Sequence, residues 1–310
     1  MSQSPVEQRP RRGVIHDIGY RPFTGRRGST GAIAWSLYLT SLKNVFGIGR
    51  TGKAKVVPIL VFTVLMVPAL VLAGIIVQLD RMSLSEQADL FGPLSSYYGF
   101  PYWMQLPITV FVATQAPVLF ARDLRYRSIV LYFARPLSRG MYVLMRLAAL
   151  ATAIYVLILT PLAIWYGVAL TSSLDSGQHT KNFFTAVAGV FLLSLILTTV
   201  SCLISALTTR AGLAVAAVIV VLMISSGVVT AVLGVAYAGG NREVTLVAAA
   251  FSPFTAVAEL VGGISGQPMP IEPLVRPGTA GTIAYAGICL AWIIVPALAL
   301  VARLRKAVQL

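Results

Sequence analysis

The chain has 310 residues, of which 57% are hydrophobic and 11% are charged, and its mean hydropathy is +0.83. Charged residues make up about a quarter of a typical soluble domain, so this composition excludes a soluble globular protein and predicts an integral membrane protein. The formal net charge of +14 is spread along the chain, without the interleaved aromatic residues of a base-stacking surface, which argues against nucleic acid as a partner.

The N-terminal region is predicted to be a basic cytoplasmic tail followed by an amphipathic helix. Residues 1–29 are rich in Arg, Gly, Pro and Ser, which is typical of a segment that does not fold alone and excludes a signal peptide. Residues 30–52 favour a helix in the membrane interface, because large apolar residues recur at helical spacing among polar ones: Trp35, Leu39, Leu42 and Phe46. This helix is either an elbow before the first span or a lipid anchor without a role in gating.

Six later stretches are long and apolar enough to cross a hydrocarbon core about 30 Å thick, which takes roughly 20 helical residues. The fold class is therefore an all-α integral membrane protein, with a six-span domain over residues 53–310. The predicted spans are residues 56–79, 101–120, 141–170, 182–207, 211–238 and 280–302.

The distribution of basic residues predicts the orientation of these spans. With both termini in the cytoplasm, twenty of the 24 Lys and Arg residues lie on the cytoplasmic side, where basic loops are retained. The basic face is also suited to contact with anionic lipids. Arg outnumbers Lys nineteen to five, which is typical of GC-rich bacterial genomes. We expect a multi-pass protein of the bacterial plasma (inner) membrane.

Two glycine motifs resemble known sites but lack the surroundings that those sites need. Gly47, Gly49 and Gly52 match a dinucleotide fingerprint, which requires a strand, a glycine turn and a helix in an α/β unit. A span begins a few residues later, so no such unit fits. Ser265 lies in a Gly-Ile-Ser-Gly run similar to the motif of rhomboid-type intramembrane proteases, but no His lies in any span to act as its base.

Catalytic and metal-binding side chains are also too scattered to form a site. His16 and His179 fall on opposite sides of the membrane in this topology, and Cys202 and Cys289 lie in mid-span, where thiols behave as small apolar groups. Asp123 is a single carboxylate among arginines, which favours a local salt bridge over acid–base chemistry. We predict no catalytic, cofactor or metal site in this chain, so it is not expected to be an enzyme.

The loop after the second span, residues 121–140, is basic and amphipathic. Its apolar block contains Ile129, Tyr132 and Phe133 and is flanked by arginines, while Pro136 predicts that a helix ends near Ala134. Two interpretations remain open: a helix that docks in a partner's groove, since Tyr and Arg are favoured at binding hot spots, or a basic loop that holds lipid head groups.

The same loop resembles the coupling-helix segment of type-2 ABC exporter permeases, which are six-span subunits that pair with separate ATPases. The chain departs from that pattern where Arg125 and Arg127 replace a Glu and a Gly. The resemblance continues to Tyr142 and Arg146. The matching positions are Asp123 for an acid, Ser128 for a Thr, the apolar block 131–134, and the ending Pro136, Ser138 and Arg139.

A second stretch, residues 251–260, is similar to the family's Asn-Pro-Leu-Thr-Tyr run with a following Glu. In the family this outer segment forms short helices that dip partway into the membrane. Residues 239–279 agree with that expectation, because they are apolar but interrupted by Pro and Gly. The resemblance therefore implies an outer re-entrant helical segment between spans five and six.

The resemblance implies a permease subunit of an ATP-driven exporter that works by alternating access. ATP and magnesium would bind in partner ATPase subunits, a second permease copy or a paralogue would complete the pathway, and this chain would bind neither cofactor. The residues implied in coupling to the ATPase are Arg122, Asp123, Arg125, Arg127, Ile129, Tyr132, Phe133, Arg135, Pro136, Ser138 and Arg139.

Polar and outer-segment residues are candidates for the pathway or an outer gate: Gln105, Thr109, Thr114, Gln115, Ser225, Ser226, Thr230, Pro253, Phe254 and Glu259. Polar groups in spans also serve as helix-packing contacts worth under ~1 kcal/mol, and for Glu259 a structural partner and an outer gate are equal alternatives. Two other classes stay open. One is a secondary transporter, although the six spans lack the midplane ionisable groups that such proteins use. The other is a membrane anchor or assembly subunit that transports nothing.

Overall fold

The computed structural model describes residues 28–83, 96–121, 123, 137–173, 176–208 and 210–307. This part of the chain is helical and contains no strand, as the all-α prediction requires. Its helices are α1 Thr30–Val45, α2 Lys53–Arg81, α3 Gly99–Trp103, α4 Gln105–Leu119, α5 Arg139–Ala169, α6 Ser176–Leu207, α7 Ala211–Ala238, α8 Arg242–Ala249, α9 Pro253–Ser265 and α10 Thr279–Ala307.

The six predicted spans are confirmed in part. Within the described residues, α2, α5, α6, α7 and α10 are long and apolar enough to cross a membrane, and the bent pair α8 and α9 counts as a sixth if it is one span. The predicted span 101–120 is not a continuous helix, since it breaks at Met104. Pro107 explains the break, because it has no N–H to donate to the carbonyl of Trp103.

The helices run between two ends of one bundle. At the first, the Arg146 end, the ring of Phe120 after α4 lies edge-on to Tyr142 of α5, with centroids 6.2 Å apart. At the other, the Gln267 end, the hydroxyl of Tyr97 before α3 lies 3.1 Å from Nδ1 of His179 in α6. The short α4 therefore still connects the two ends, because α3 precedes it.

Helix α6 lies at the centre of the bundle, where it packs against α4, α5, α7, α9 and α10. It buries several hydroxyl side chains, some of which donate hydrogen bonds to carbonyls of the same helix: Ser194 donates to Phe191 at 2.7 Å, and Thr199 to Ile196 at 3.0 Å. The outer helices α2, α7 and α10 instead expose apolar side chains, as expected for surfaces that face lipid.

Helix α1 packs along α5 and against α4. Ser29 caps its start by accepting a hydrogen bond from the N–H of Ala32 at 3.3 Å, and the helix ends at Val45 rather than continuing to residue 52. Its buried face is Ala34, Leu37, Ser41 and Val45. The predicted stripe was therefore shifted by about one position: Trp35 is exposed, and Leu39, Leu42 and Phe46 are half-buried beside that face.

Candidate functional site

A buried ion pair joins the two flanks of the basic loop at the Arg146 end. The carboxylate of Asp123 accepts hydrogen bonds from Nη2 of Arg146 at 2.5 Å and from the Tyr142 hydroxyl at 2.6 Å. Arg146 is only 4% exposed and Asp123 16%. Because charge-assisted hydrogen bonds are the strong ones, this contact fixes the end of α4 to the first turns of α5. The expectation that Asp123 forms a salt bridge is confirmed.

The rest of the predicted coupling segment is described only at its C-terminal end. Ser138 caps α5, since its hydroxyl accepts a hydrogen bond from the N–H of Met141 at 3.2 Å, and Arg139 is the first residue of that helix. The other predicted coupling residues lie outside the described residues: Arg122, Arg125, Arg127, Ile129, Tyr132, Phe133, Arg135 and Pro136.

The predicted pathway residues of α4 and α7 lie between packed helices or make local contacts. Thr109 and Gln115 are buried, and the Gln115 amide donates to the hydroxyl of Thr114 at 3.3 Å. The Ser225 hydroxyl donates to the carbonyl of Leu222, one turn earlier in α7, at 3.0 Å. These contacts match the helix-packing interpretation. Gln105 lies at the start of α4 with its carbonyl oxygen buried, whereas Thr230 is exposed on α7.

The segment between α7 and α10 folds as a helical hairpin, in which the axes of α8 and α9 differ by 117°. Its tip lies beside the middle of two long helices: the Ser226 and Ser252 hydroxyls are 2.9 Å apart, and Nε1 of Trp292 donates to the carbonyl of Ala250 at 3.1 Å. Ser226 is twelve residues, or roughly 18 Å at 1.5 Å per residue, from the end of α7. The hairpin thus reaches deep between α7 and α10.

The second helix of the hairpin carries a fully buried carboxyl group. Pro253 occupies the first turn of α9, where a proline is tolerated, and Phe254 and Glu259 are 0% exposed. Neither carboxylate oxygen of Glu259 has a hydrogen bond of good geometry among the described residues, although the backbone of Val275 and the positive charge of Arg242 both act on this carboxylate. A fully buried carboxyl group is costly unless it is paired or hydrogen-bonded, and the Val275 backbone and Arg242 are the groups that reduce this cost.

A polar cluster at the Gln267 end holds the hairpin to α6. This cluster was not predicted from the sequence. Nε2 of Gln267 donates to the Asn182 carbonyl and to the Thr185 hydroxyl, both at 2.8 Å. The Arg276 guanidinium donates to the Gln267 carbonyl at 3.1 Å. Gly266, with φ +74°, provides the left-handed turn that brings Gln267 inward. A single Gln in an irregular loop carries no sequence signal for such a role.

Replacing Gln267 with Leu is expected to loosen the hairpin while leaving the bundle folded. The change keeps the side-chain volume but removes the two hydrogen bonds that the amide donates and the one that it accepts from the Ser96 hydroxyl at 3.4 Å, at a cost of about 1–2 kcal/mol. Amide hydrogen exchange of α9 should become several-fold faster. Gln78→Leu at the exposed end of α2 is the matched control, and an equal effect of both variants would show that Gln267 has no special role.

Comparison with known proteins found no family model and no curated protein that matches this chain. Within the described residues, no group of three or more His, Cys, Asp and Glu side chains lies close enough to hold a metal ion. The candidate site therefore has two parts, the ion pair at the Arg146 end and the hairpin, which is held at the Gln267 end. Helix α6 and the helices packed around it connect these two parts.

Proposed function

We propose that this chain is the membrane permease subunit of an ATP-driven exporter of the type-2 ABC kind. The observation that carries the proposal is the ion pair of Asp123 and Arg146, which ties both flanks of the basic loop to α4 and α5. A displacement of that loop would therefore move α4 and α5 and would not be absorbed by a flexible linker. This is the mechanical property that a loop gripped by an ATPase needs.

The packing offers a route from that loop to the hairpin. Helix α4 packs against α6 and α7, and α6 in turn packs against α9. In the proposed cycle, ATP binding draws two ATPase subunits together, the 121–140 segment transmits the displacement, and the hairpin changes its position between α7 and α10. Such a change needs two states that the ATPase biases differently. A second permease copy would complete the pathway.

The charge distribution supports placing the Arg146 end in the cytoplasm, because 19 of the 24 Lys and Arg residues lie before or in the first turn of α2, between α4 and the first turns of α5, or in the last turns of α10. In this orientation the hairpin is a re-entrant segment entered from the outer face, and α1 is the elbow helix that leads into α2. The membrane would be the plasma membrane of a bacterium.

A secondary transporter is a second candidate, and the buried carboxyl group of Glu259 favours it. Ion-coupled transporters place ionisable groups at membrane depth, where they are costly unless they have a function. Transport in vesicles separates the two candidates: the exporter requires an added ATPase and ATP, whereas the secondary transporter requires only an ion gradient.

The proposal is tested by substituting the apolar block of the loop. Tyr132→Asp and Phe133→Asp should each abolish co-purification of an ATPase with the tagged chain, because a buried carboxylate in an interface is costly, while membrane insertion stays normal. Tyr237→Asp, an exposed aromatic position at the Gln267 end, is the control and should retain the ATPase. Undiminished capture by the loop variants, or a wild-type chain that always purifies alone, would reject the proposal.

A further inference from the structure

A groove lies between the hairpin and α7. Its volume is about 510 Å³, which falls within the usual range of small-molecule sites, roughly 300–1,000 Å³. One wall of the groove is formed by α7, and the other by α8 together with Phe251 at the tip of the hairpin. The apolar lining residues are Val228, Val229, Val232, Val244, Val247, Ala248 and Phe251.

One charged side chain, Glu243, lines this otherwise apolar groove. It lies in the first turn of α8 at the Gln267 end, whereas Phe251 lies at the tip, deeper along α7. The neighbouring cation does not neutralise Glu243 by contact: the Arg242 guanidinium donates to the Arg276 carbonyl at 3.1 Å, and Glu243 makes no ion pair within the described part of the chain.

The position of Glu243 in the first turn of α8 does not by itself explain why a carboxylate lines the groove. A carboxylate in the first turn interacts favourably with the helix dipole, but the N-cap is already supplied by Asn241, whose side chain accepts from the N–H of Val244 at 3.2 Å. The groove adds a second feature, namely an apolar volume that leads away from the carboxylate toward Phe251.

We propose that this groove binds a single-chain amphiphilic amine. The hydrocarbon chain would lie along Val228, Val232 and Val247, and the protonated nitrogen would pair with the carboxylate of Glu243 at the mouth. Because Glu243 is exposed, this ion pair adds a modest attraction to the apolar contacts of the chain. An alcohol of the same length gains only the apolar contacts, and a carboxylate amphiphile is repelled by Glu243.

The experiment measures equilibrium binding of radiolabelled dodecylamine and dodecanol to the full chain in phosphatidylcholine nanodiscs, with empty nanodiscs subtracted. Dodecylamine should bind more tightly than dodecanol. Glu243→Gln should weaken dodecylamine about threefold, as expected for an ion pair with an exposed carboxylate, and leave dodecanol unchanged. Glu272→Gln, an exposed acid outside the groove lining, is the matched control and should change neither.

Val232→Trp fills the groove and should weaken both probes, which tests the location even if Glu243→Gln is unstable. Equal binding of the two probes, or unchanged dodecylamine binding by Glu243→Gln, would overturn the assignment. Complete displacement of dodecylamine by added phosphatidylethanolamine would also overturn it, since the occupant would then be a membrane lipid. No ATPase takes part in this assay, so its result is independent of the proposed export function.

Discussion

Arg146→Met is expected to lower the free energy of unfolding by about 3–5 kcal/mol, the usual cost of removing one partner from a buried ion pair. The guanidinium is 4% exposed and bonds Asp123 at 2.5 Å, so the substitution removes a buried cation from beside a carboxylate that is itself 16% exposed. The Tyr142 hydroxyl still donates to that carboxylate, but a neutral donor does not replace the lost charge. Reversible denaturation in mixed micelles measures the change.

A double-mutant cycle identifies the cause of this loss. Combining Arg146→Met with Asp123→Asn removes both charges, and we expect the double variant to be more stable than Arg146→Met alone. Arg210→Met is the control, since Arg210 is an exposed cation at the same end of the bundle. If the two single losses were simply additive, the ion pair would not be what fixes α4 to α5.

Gly189→Leu is expected to separate the hairpin from the central helix. A Cβ at this buried position of α6 would lie 2.5 Å from Cγ2 of Val261 and 3.0 Å from Cδ2 of Tyr98. Val261 has a stiff β-branched side chain and Tyr98 is buried, so neither group can move aside cheaply. The expected loss of stability is about 1–3 kcal/mol or more, and exchange of the α9 amides should accelerate more than that of α5.

Gly227→Leu is the matched control, because a Cβ at this position of α7 meets nothing within 4 Å. Replacing a helical glycine that has free space should stabilise the helix by about 0.5–1 kcal/mol. If Gly189→Leu behaved like Gly227→Leu, the close approach of α6 and α9 would not be needed for the fold.

The long helices could be predicted from sequence because uninterrupted apolar runs fix their identity. The span predicted at 211–238 has the same bounds as α7, Ala211–Ala238. The span predicted at 141–170 corresponds to α5, Arg139–Ala169. Helix α6 begins at Ser176, six residues before the predicted start at 182. Its polar first turns had the composition of a loop, but the Gln178 amide donates to the Asn182 side chain at 2.9 Å and Tyr97 contacts His179.

Long-range contacts could not be predicted in the same way. A salt bridge of Asp123 with a nearby arginine was expected, but its partner follows 23 residues later, and helical packing selects it among six arginines of that region. Gln267 gave no signal, because its partners Asn182 and Thr185 belong to a helix more than eighty residues away. Such contacts depend on which helices are neighbours, and hydropathy does not specify neighbours.

The central place of α6 has a consequence for how the protein is made. Thr199 of α6 donates to the Trp292 carbonyl of α10 as well as to its own helix, and α6 packs extensively against α10 and the hairpin. The hairpin ends 58 residues after the end of α6, and α10 begins 72 residues after it (265 − 207 and 279 − 207), so both leave the ribosome after α6. Until α10 has been made, Thr199 lacks this partner and α6 lacks one of its main packing surfaces, so assembly of the bundle is completed only when synthesis is nearly over.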